Sequence, residues 1–292
     1  MTKAAGRDNL VGSLFMILSM AGFAVEDALL KRGADVLPIG EAVVFAGLTG
    51  MVIFAVLARL SGQSLLHPAY IAPAMRVRAA FEITGRLAYT LSFVLIPIIT
   101  ATAILQATPL VVVAGAALFL GEKVGWRRWS AILIGLIGVL IILRPWGATF
   151  DIYALLAVVG MLGFAGRDLA TRASPPVLKN FQLGINGYAM LTIAGAIIWA
   201  FDPRFVALDL RLVGILLTAT LAGALGYYSL TVAMRTGDVS TVTPWRYSRL
   251  IFGAILGVIM FSDKIDTLTL IGSLIVVGSG VFTLLRTNRP RT

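Results

Sequence analysis

Met20-Ala21-Gly22-Phe23-Ala24-Val25-Glu26-Asp27-Ala28-Leu29-Leu30-Lys31 occurs twice in this chain, the second time as Met161-Leu162-Gly163-Phe164-Ala165-Gly166-Arg167-Asp168-Leu169-Ala170-Thr171-Arg172. Met, Gly, Phe, Ala and Asp return in register 141 residues later, and a base closes both copies. Each copy carries charge into an otherwise apolar run. The same offset pairs Val36-Leu37 with Val177-Leu178, Gly85 with Gly226, Thr100 with Thr241 and Glu122-Lys123 with Asp263-Lys264. Registered matches that include charged positions are hard to obtain by chance from a small apolar alphabet.

The surrounding composition places the stretch in a membrane. The 292 residues are 59% hydrophobic and only 13% charged, with a mean hydropathy of +0.93, whereas soluble domains carry about a quarter charged residues. Apolar runs of spanning length recur throughout, and an outer-membrane barrel would instead show short alternating segments. We expect an all-α membrane protein of ten transmembrane helices, near 10–31, 39–60, 76–95, 98–120, 127–144, 151–172, 181–200, 211–233, 239–261 and 267–286. Five helices per half is an odd number. The second half therefore enters the membrane in the opposite sense, giving two inverted repeats, 1–145 and 146–292, a plan common among secondary transporters. With the N-terminus cytoplasmic, fourteen Lys and Arg, Arg78 among them, fall in inside segments and six in outside ones. That ratio predicts both termini inside. Glycines at 135, 138, 272, 278 and 280 read as helix-packing positions.

Several chemistries are absent from the pattern. There is no cysteine and one histidine, His67, beside Pro68 in a predicted loop. No P-loop, serine-hydrolase elbow, zinc-protease helix or metal-ligand spacing occurs. We expect no enzyme, no metal and no cofactor. The net charge of +10 fits loops facing anionic lipid rather than nucleic acid. The partners expected are the bilayer and a small molecule.

Charges inside the spans cost about 2.5–3.5 kcal/mol each on insertion scales, which makes them functional candidates. On helix 1, Asp27 can pair with Lys31 one turn on, leaving Glu26 free for a cation or a proton; both acids could instead be solvated near the surface. On helix 6, Asp168 can pair with Arg172 in the same way. Arg167 then stands where helix 1 has Glu26, and the two either neutralise each other or grip the ends of a zwitterion. On helix 3, Glu82 and Arg86 sit at i and i+4 with Tyr89 on the same face. Glu82 is a second candidate for the cation or proton. On helix 9, Thr243-Pro244-Trp245-Arg246-Tyr247-Ser248-Arg249 combines two bases with two aromatics. This run suits an anionic or planar group, or else an aromatic belt with snorkelling arginines. Gln106 and Tyr228 add polar tips.

Thr108-Pro109-Leu110, Phe119-Leu120-Gly121-Glu122-Lys123, Trp129 and Gly135-Leu136-Ile137-Gly138-Val139 together resemble the EamA type of the drug/metabolite transporter superfamily, and the resemblance spans the whole chain. It implies a carrier with a central cavity between two five-helix halves, often coupled to protons. Thr243-Pro244-Trp245-Arg246-Tyr247 and the acid pair of helix 1 are similar to a proteobacterial branch that includes S-adenosylmethionine uptake carriers; Arg249 departs from that pattern. The implied function is secondary transport of a small polar, zwitterionic or aromatic metabolite across a bacterial inner membrane. Arg246, Arg249, Arg86 and Arg167 are the expected anion ligands, and Trp245, Tyr247, Tyr89 and Tyr228 the packing surface. A flavin importer of the same family or a lipid-carrier flippase are the alternatives.

Overall fold

A computed structural model of the chain describes residues 3–119, 125–143, 151–236 and 242–285. The Leu120-Gly121-Glu122-Lys123 motif, the boundary at 145/146 and the side chains of Arg172, Thr243 and Pro244 lie outside the described residues. Every regular element described is helical: α1 Lys3–Gly33, α2 Ile39–Leu60, α3 Pro73–Leu95, α4 Ile98–Leu105, α5 Thr108–Phe119, α6 Trp126–Leu143, α7 Ala154–Arg172, α8 Asn180–Phe201, α9 Leu210–Thr236, α10 Ser248–Phe261 and α11 Thr267–Leu285. Two 3₁₀ turns, Pro68–Ile71 and Thr243–Tyr247, precede α3 and α10. His67 caps the first of these through Nδ1, which accepts from the amide of Ala69 at 3.0 Å.

Among the described residues, six stretches are long and apolar enough to cross a membrane: 7–33, Ile39–Leu60, Ile98–Phe119, Ala154–Thr171, Asn180–Phe201 and Leu210–Thr236. Two of the other expected spans fall short for physical reasons. α3 carries Arg76, Arg78, Glu82 and Arg86, too many charges for a lipid-facing span. α10 is only 14 residues because its expected first turns form the 3₁₀ segment.

Two expected helices are interrupted. Between α4 and α5 the chain turns at Gln106-Ala107, and Pro109 occupies the first turn of α5, where its missing N–H costs nothing. Pro244 stands at the same kind of position in the 3₁₀ turn before α10. A 3₁₀ turn has three residues per turn rather than 3.6, and this changes which side chains share a face.

Packing pairs α1 with α9, α2 with α8, α3 with α7 and α6 with α11. Backbones meet at glycines, as expected where no hydrophobic drive separates helix from lipid. A Cβ on Gly22 would stand 2.6 Å from the carbonyl oxygen of Ala222 and 3.0 Å from Gly226 Cα. A Cβ on Gly163 would stand 2.5 Å from Gly85 Cα. Gly22 and Gly163 are repeat partners, as are Gly85 and Gly226, so α1 crosses α9 as α7 crosses α3. Gly138 and Gly272 make the α6–α11 contact, each Cβ falling within 2.8 Å of the other's carbonyl oxygen. Gly278 has nothing within 4 Å, so the packing role expected for it is not found.

Candidate functional site

The charged residues of α1, α3, α7, the 3₁₀ turn Thr243–Tyr247 and the start of α10 come together in the interior. Glu26, Asp27, Glu82, Asp168, Arg78, Arg86, Arg167, Arg246 and Arg249 are all buried. Fully desolvated charges persist only when paired and hydrogen-bonded, and the pairs form between helices.

Glu82, 0% exposed, is the hub. Its Oε1 lies 3.2 Å from Arg167 Nη1 and 3.8 Å from Arg86 Nε; its Oε2 lies 3.5 Å from Arg78 Nη2 and accepts from Tyr227 Oη at 3.2 Å. Arg78 also donates to Tyr227 Oη, to Asn186 Oδ1 at 2.7 Å and to Thr171 Oγ1 at 2.9 Å. The repeated aspartates hold the two arginines of the basic-aromatic run. Asp27 Oδ2 meets Arg249 Nη2 at 2.5 Å and accepts from Tyr89 Oη at 3.2 Å. Asp168 Oδ2 meets Arg246 Nη2 at 2.6 Å, and its Oδ1 meets Arg167 Nη2 at 2.9 Å. The repeated phenylalanines flank the arginines as well. Arg86 lies 5.7 Å from the Phe23 ring centroid and 5.9 Å from that of Phe164. Arg167 sits 4.9 Å over Phe164, and Arg249 sits 5.3 Å over Phe23. Such contacts stabilise desolvated cations by about 2 kcal/mol.

Glu26 differs from the other three acids. It is 0% exposed, neither oxygen has a hydrogen-bond partner, and its nearest base is Arg86 Nη1 at 3.6 Å. The repeat explains the isolation. At the α3–α7 crossing Glu82 faces Arg167. The corresponding positions at the α1–α9 crossing are Gly223 and Glu26, and a Cβ on Gly223 would stand 2.5 Å from Glu26 Oε1. Glycine makes room for the carboxylate and offers it no charge.

A small cavity, about 30 Å³, lies among these groups. Arg86, Arg167, Arg246 and Arg249 line it, together with Gln106, Thr108 and the faces of Phe23 and Phe164. Gln106 Nε2 donates to the carbonyl oxygen of Arg246 at 3.2 Å, joining the α4–α5 break to the 3₁₀ turn. A larger groove of about 510 Å³, bounded by Trp126, Ile134 and Phe282, has no charged side chain in its lining.

Several expected contacts are replaced by others. Asp27 does not pair with Lys31; Lys31 Nζ instead donates to the carbonyl oxygens of Phe93 and Ile96 at 2.7 and 2.9 Å, which the end of α3 leaves without helical partners. The expected Asp168–Arg172 pair involves a side chain outside the described residues. Arg167 goes to Glu82 and Asp168 rather than to its repeat counterpart Glu26. The Glu82–Arg86 pair is the longest contact Glu82 makes with a base. Trp245 does not share a face with Arg249. The 3₁₀ turn brings Arg246 and Arg249 inward at i,i+3 and leaves Trp245 47% exposed. Tyr228 stacks on Phe181 at 5.2 Å, and its neighbour Tyr227 enters the network instead. Tyr89 and Tyr247 are buried but absent from the cavity lining. Arg78, counted with the cytoplasmic charges, is 2% exposed inside the network. Its position four residues before Glu82, one turn before the Glu82–Arg86 spacing, was the signal for it.

Comparison with known proteins places this geometry. The model of the EamA-like transporter family matches residues 10–144 and again 148–285. The pseudopaline exporter CntI of Pseudomonas aeruginosa is 27% identical over 91% of this chain and 93% of its own length. The S-adenosylmethionine uptake transporter of Rickettsia bellii is 27% identical over 68% of this chain and 67% of that one. The riboflavin transporter of Rhizobium johnstonii is 27% identical over 70% and 68%. A solved crystal structure, 16% identical, superposes with a TM-score of 0.67 over 95% of this chain and 99% of that chain, a likeness of fold. These relatives are transporters, not enzymes. A multi-pass helical membrane protein with buried charges around a central cavity, matched twice by one family model, this chain belongs to the EamA-like transporter family.

Proposed function

We propose that the chain is a secondary active transporter of the bacterial inner membrane, built as ten helices in two inverted repeats, 1–145 and 146–292, with both termini cytoplasmic. Its substrate is a small polar metabolite with a carboxylate and an apolar or aromatic body. The observation that carries this reading is the arginine-lined cavity at the meeting of α1, α3, α7 and α10. Arg246, Arg249, Arg86 and Arg167 receive the anionic end, and Phe23 and Phe164 pack against the body. The repeat-related glycine crossings, and the pairing of α1 with α9 and of α3 with α7, support the inverted plan.

Small-molecule sites occupy about 300–1,000 Å³, and a space near 30 Å³ admits one or two waters. Entry of substrate therefore requires the halves to part, and alternating access follows from that requirement. Glu26 is the proton site in this scheme. Glu82 is paired with three arginines and accepts from Tyr227, whereas Glu26 has one base at 3.6 Å. The charged lining of the central cavity counts against the lipid-carrier flippase alternative; the apolar groove bounded by Trp126, Ile134 and Phe282 is the feature that would favour it.

Flux into proteoliposomes tests the proposal. Wild-type protein is expected to move at least one member of a panel of labelled carboxylate metabolites, amino acids included, with a rate that responds to a pH gradient. Arg246→Ala should abolish flux, and Glu26→Gln should remove the response to the gradient. Retained flux in both variants refutes the site.

A further inference from the structure

The transporter reading leaves the charge of the substrate open, and the cavity narrows it. All the acids of the network stand behind the arginines. The lining of the central cavity includes Arg86, Arg167, Arg246 and Arg249 and no Asp or Glu. A second small space beyond Arg167, about 20 Å³, adds Arg78 and a single acid, Asp168. Among the described buried groups of the network there are five arginines against four carboxylates, a surplus of one positive charge where desolvation makes any surplus costly.

The guanidinium groups are also incompletely used. Each offers five N–H donors in a fixed fork. Arg86 Nε and Arg249 Nε are buried without a hydrogen-bond partner. Asp27 and Asp168 each meet Arg249 and Arg246 through one oxygen, which leaves room for a second acceptor on each fork. One carboxylate can engage one or two guanidinium groups; it leaves the remaining arginines of the wall facing each other.

Resting on the transporter reading, we infer that the substrate is a net-negative metabolite with at least two acidic groups, carboxylate or phosphate. One acidic group engages Arg246 and Arg249 in competition with Asp27 and Asp168. The other engages Arg86 and Arg167, whose aromatic partners Phe23 and Phe164 hold the guanidinium planes and leave the N–H edges for the ligand. A net cation such as S-adenosylmethionine meets four like charges in this wall and is excluded by the same arrangement that admits a dianion.

The test is a matched panel, read by thermal shift of the purified protein and by competition for uptake in proteoliposomes. Glutamate is set against glutamine, succinate against succinamide, fructose 1,6-bisphosphate against fructose, and S-adenosylmethionine is the cationic probe. The acidic member of at least one pair is expected to bind ten-fold or more tighter than its neutral partner, and the carboxylate and phosphate arms identify the source of the charge. Arg86→Gln is expected to narrow that ratio below three-fold; Arg249→Lys, which keeps the charge and loses the fork, is expected to lower affinity for the acidic member in a protein that still folds. Uptake confined to neutral or cationic members overturns the inference and leaves the transporter reading standing. No uptake of any member defeats the transporter reading and the inference with it.

Discussion

Glu82→Gln and Glu26→Gln make the same chemical change on two helices, and the structure predicts unequal consequences for stability. Glu82 faces Arg167 at 3.2 Å, Arg78 at 3.5 Å and Arg86 at 3.8 Å. At an effective dielectric of 20, each contact is a gross attraction of about 4–5 kcal/mol. The amide removes all three and turns a donor toward a guanidinium group. Stripping one partner from a buried ion network typically costs about 3–5 kcal/mol, because the opposite charges stay behind unpaired. Glu26 has a single base at 3.6 Å and no hydrogen bond. Its gross attraction, about 5 kcal/mol, is offset by a desolvation penalty of several kcal/mol, so neutralising it should change stability by about 1 kcal/mol or less. Thermal unfolding in detergent is the assay. At about 2–4 °C per kcal/mol for a chain of this order, Glu82→Gln should melt roughly 10 °C below wild type and Glu26→Gln within about 3 °C of it. Equal losses for the two variants, or a Glu82→Gln protein as stable as wild type, would refute the assignment of Glu82 as the hub. If Glu82→Gln does not fold at all, Arg167→Gln, which removes the partner at 3.2 Å, serves instead and should melt further below wild type than Glu26→Gln.

Gly163→Ala should destabilise by about 1–3 kcal/mol, because its Cβ would fall 2.5 Å from Gly85 Cα and two backbones would have to separate. Gly278→Ala, which meets nothing within 4 Å, should stabilise by about 0.5–1 kcal/mol through helix propensity; melting of the two variants side by side checks both. Ser262 ends α10 at φ 54°, and Ser262→Gly should raise stability by about 0.5–1 kcal/mol by relieving the left-handed strain, an effect visible as a Tm increase. Trp245→Ala should leave substrate affinity within two-fold of wild type because the ring faces outward. Arg246→Ala should abolish binding in the same assay.

The repeated stretch was informative well beyond marking a duplication. Its glycines became the two crossings, its phenylalanines the flanks of Arg86, and its aspartates the holders of Arg246 and Arg249. Which base each aspartate takes was not legible in the sequence. Local spacing nominated Lys31 and Arg172, since partners one turn away are the only ones a linear reading can measure. In the structure Asp27 takes a base 222 residues away. Tyr227 and Arg78 were missed for a related reason. Arg78 was counted with the cytoplasmic charges because it falls in the first turn of the helix expected at 76–95. Tyr227 carries no charge that would mark it within an apolar span.

By itself the sequence determined the membrane class, the internal duplication and the identity of most of the costly charges. These follow from composition, registered repetition and the energetic penalty of charge in an apolar run. Tertiary structure alone decided how the charges are shared. Helix crossings set which side chains meet, and the 3₁₀ turn at Thr243–Tyr247 changed the phase of the basic-aromatic run, turning Arg246 and Arg249 inward and Trp245 outward. It also gave the asymmetry between Glu26 and Arg167 its meaning. Arg167 meets an acid across the α3–α7 crossing, while Glu26 meets a glycine across the equivalent one. That leaves one carboxylate in the interior with a single, distant base, and four arginines facing the cavity.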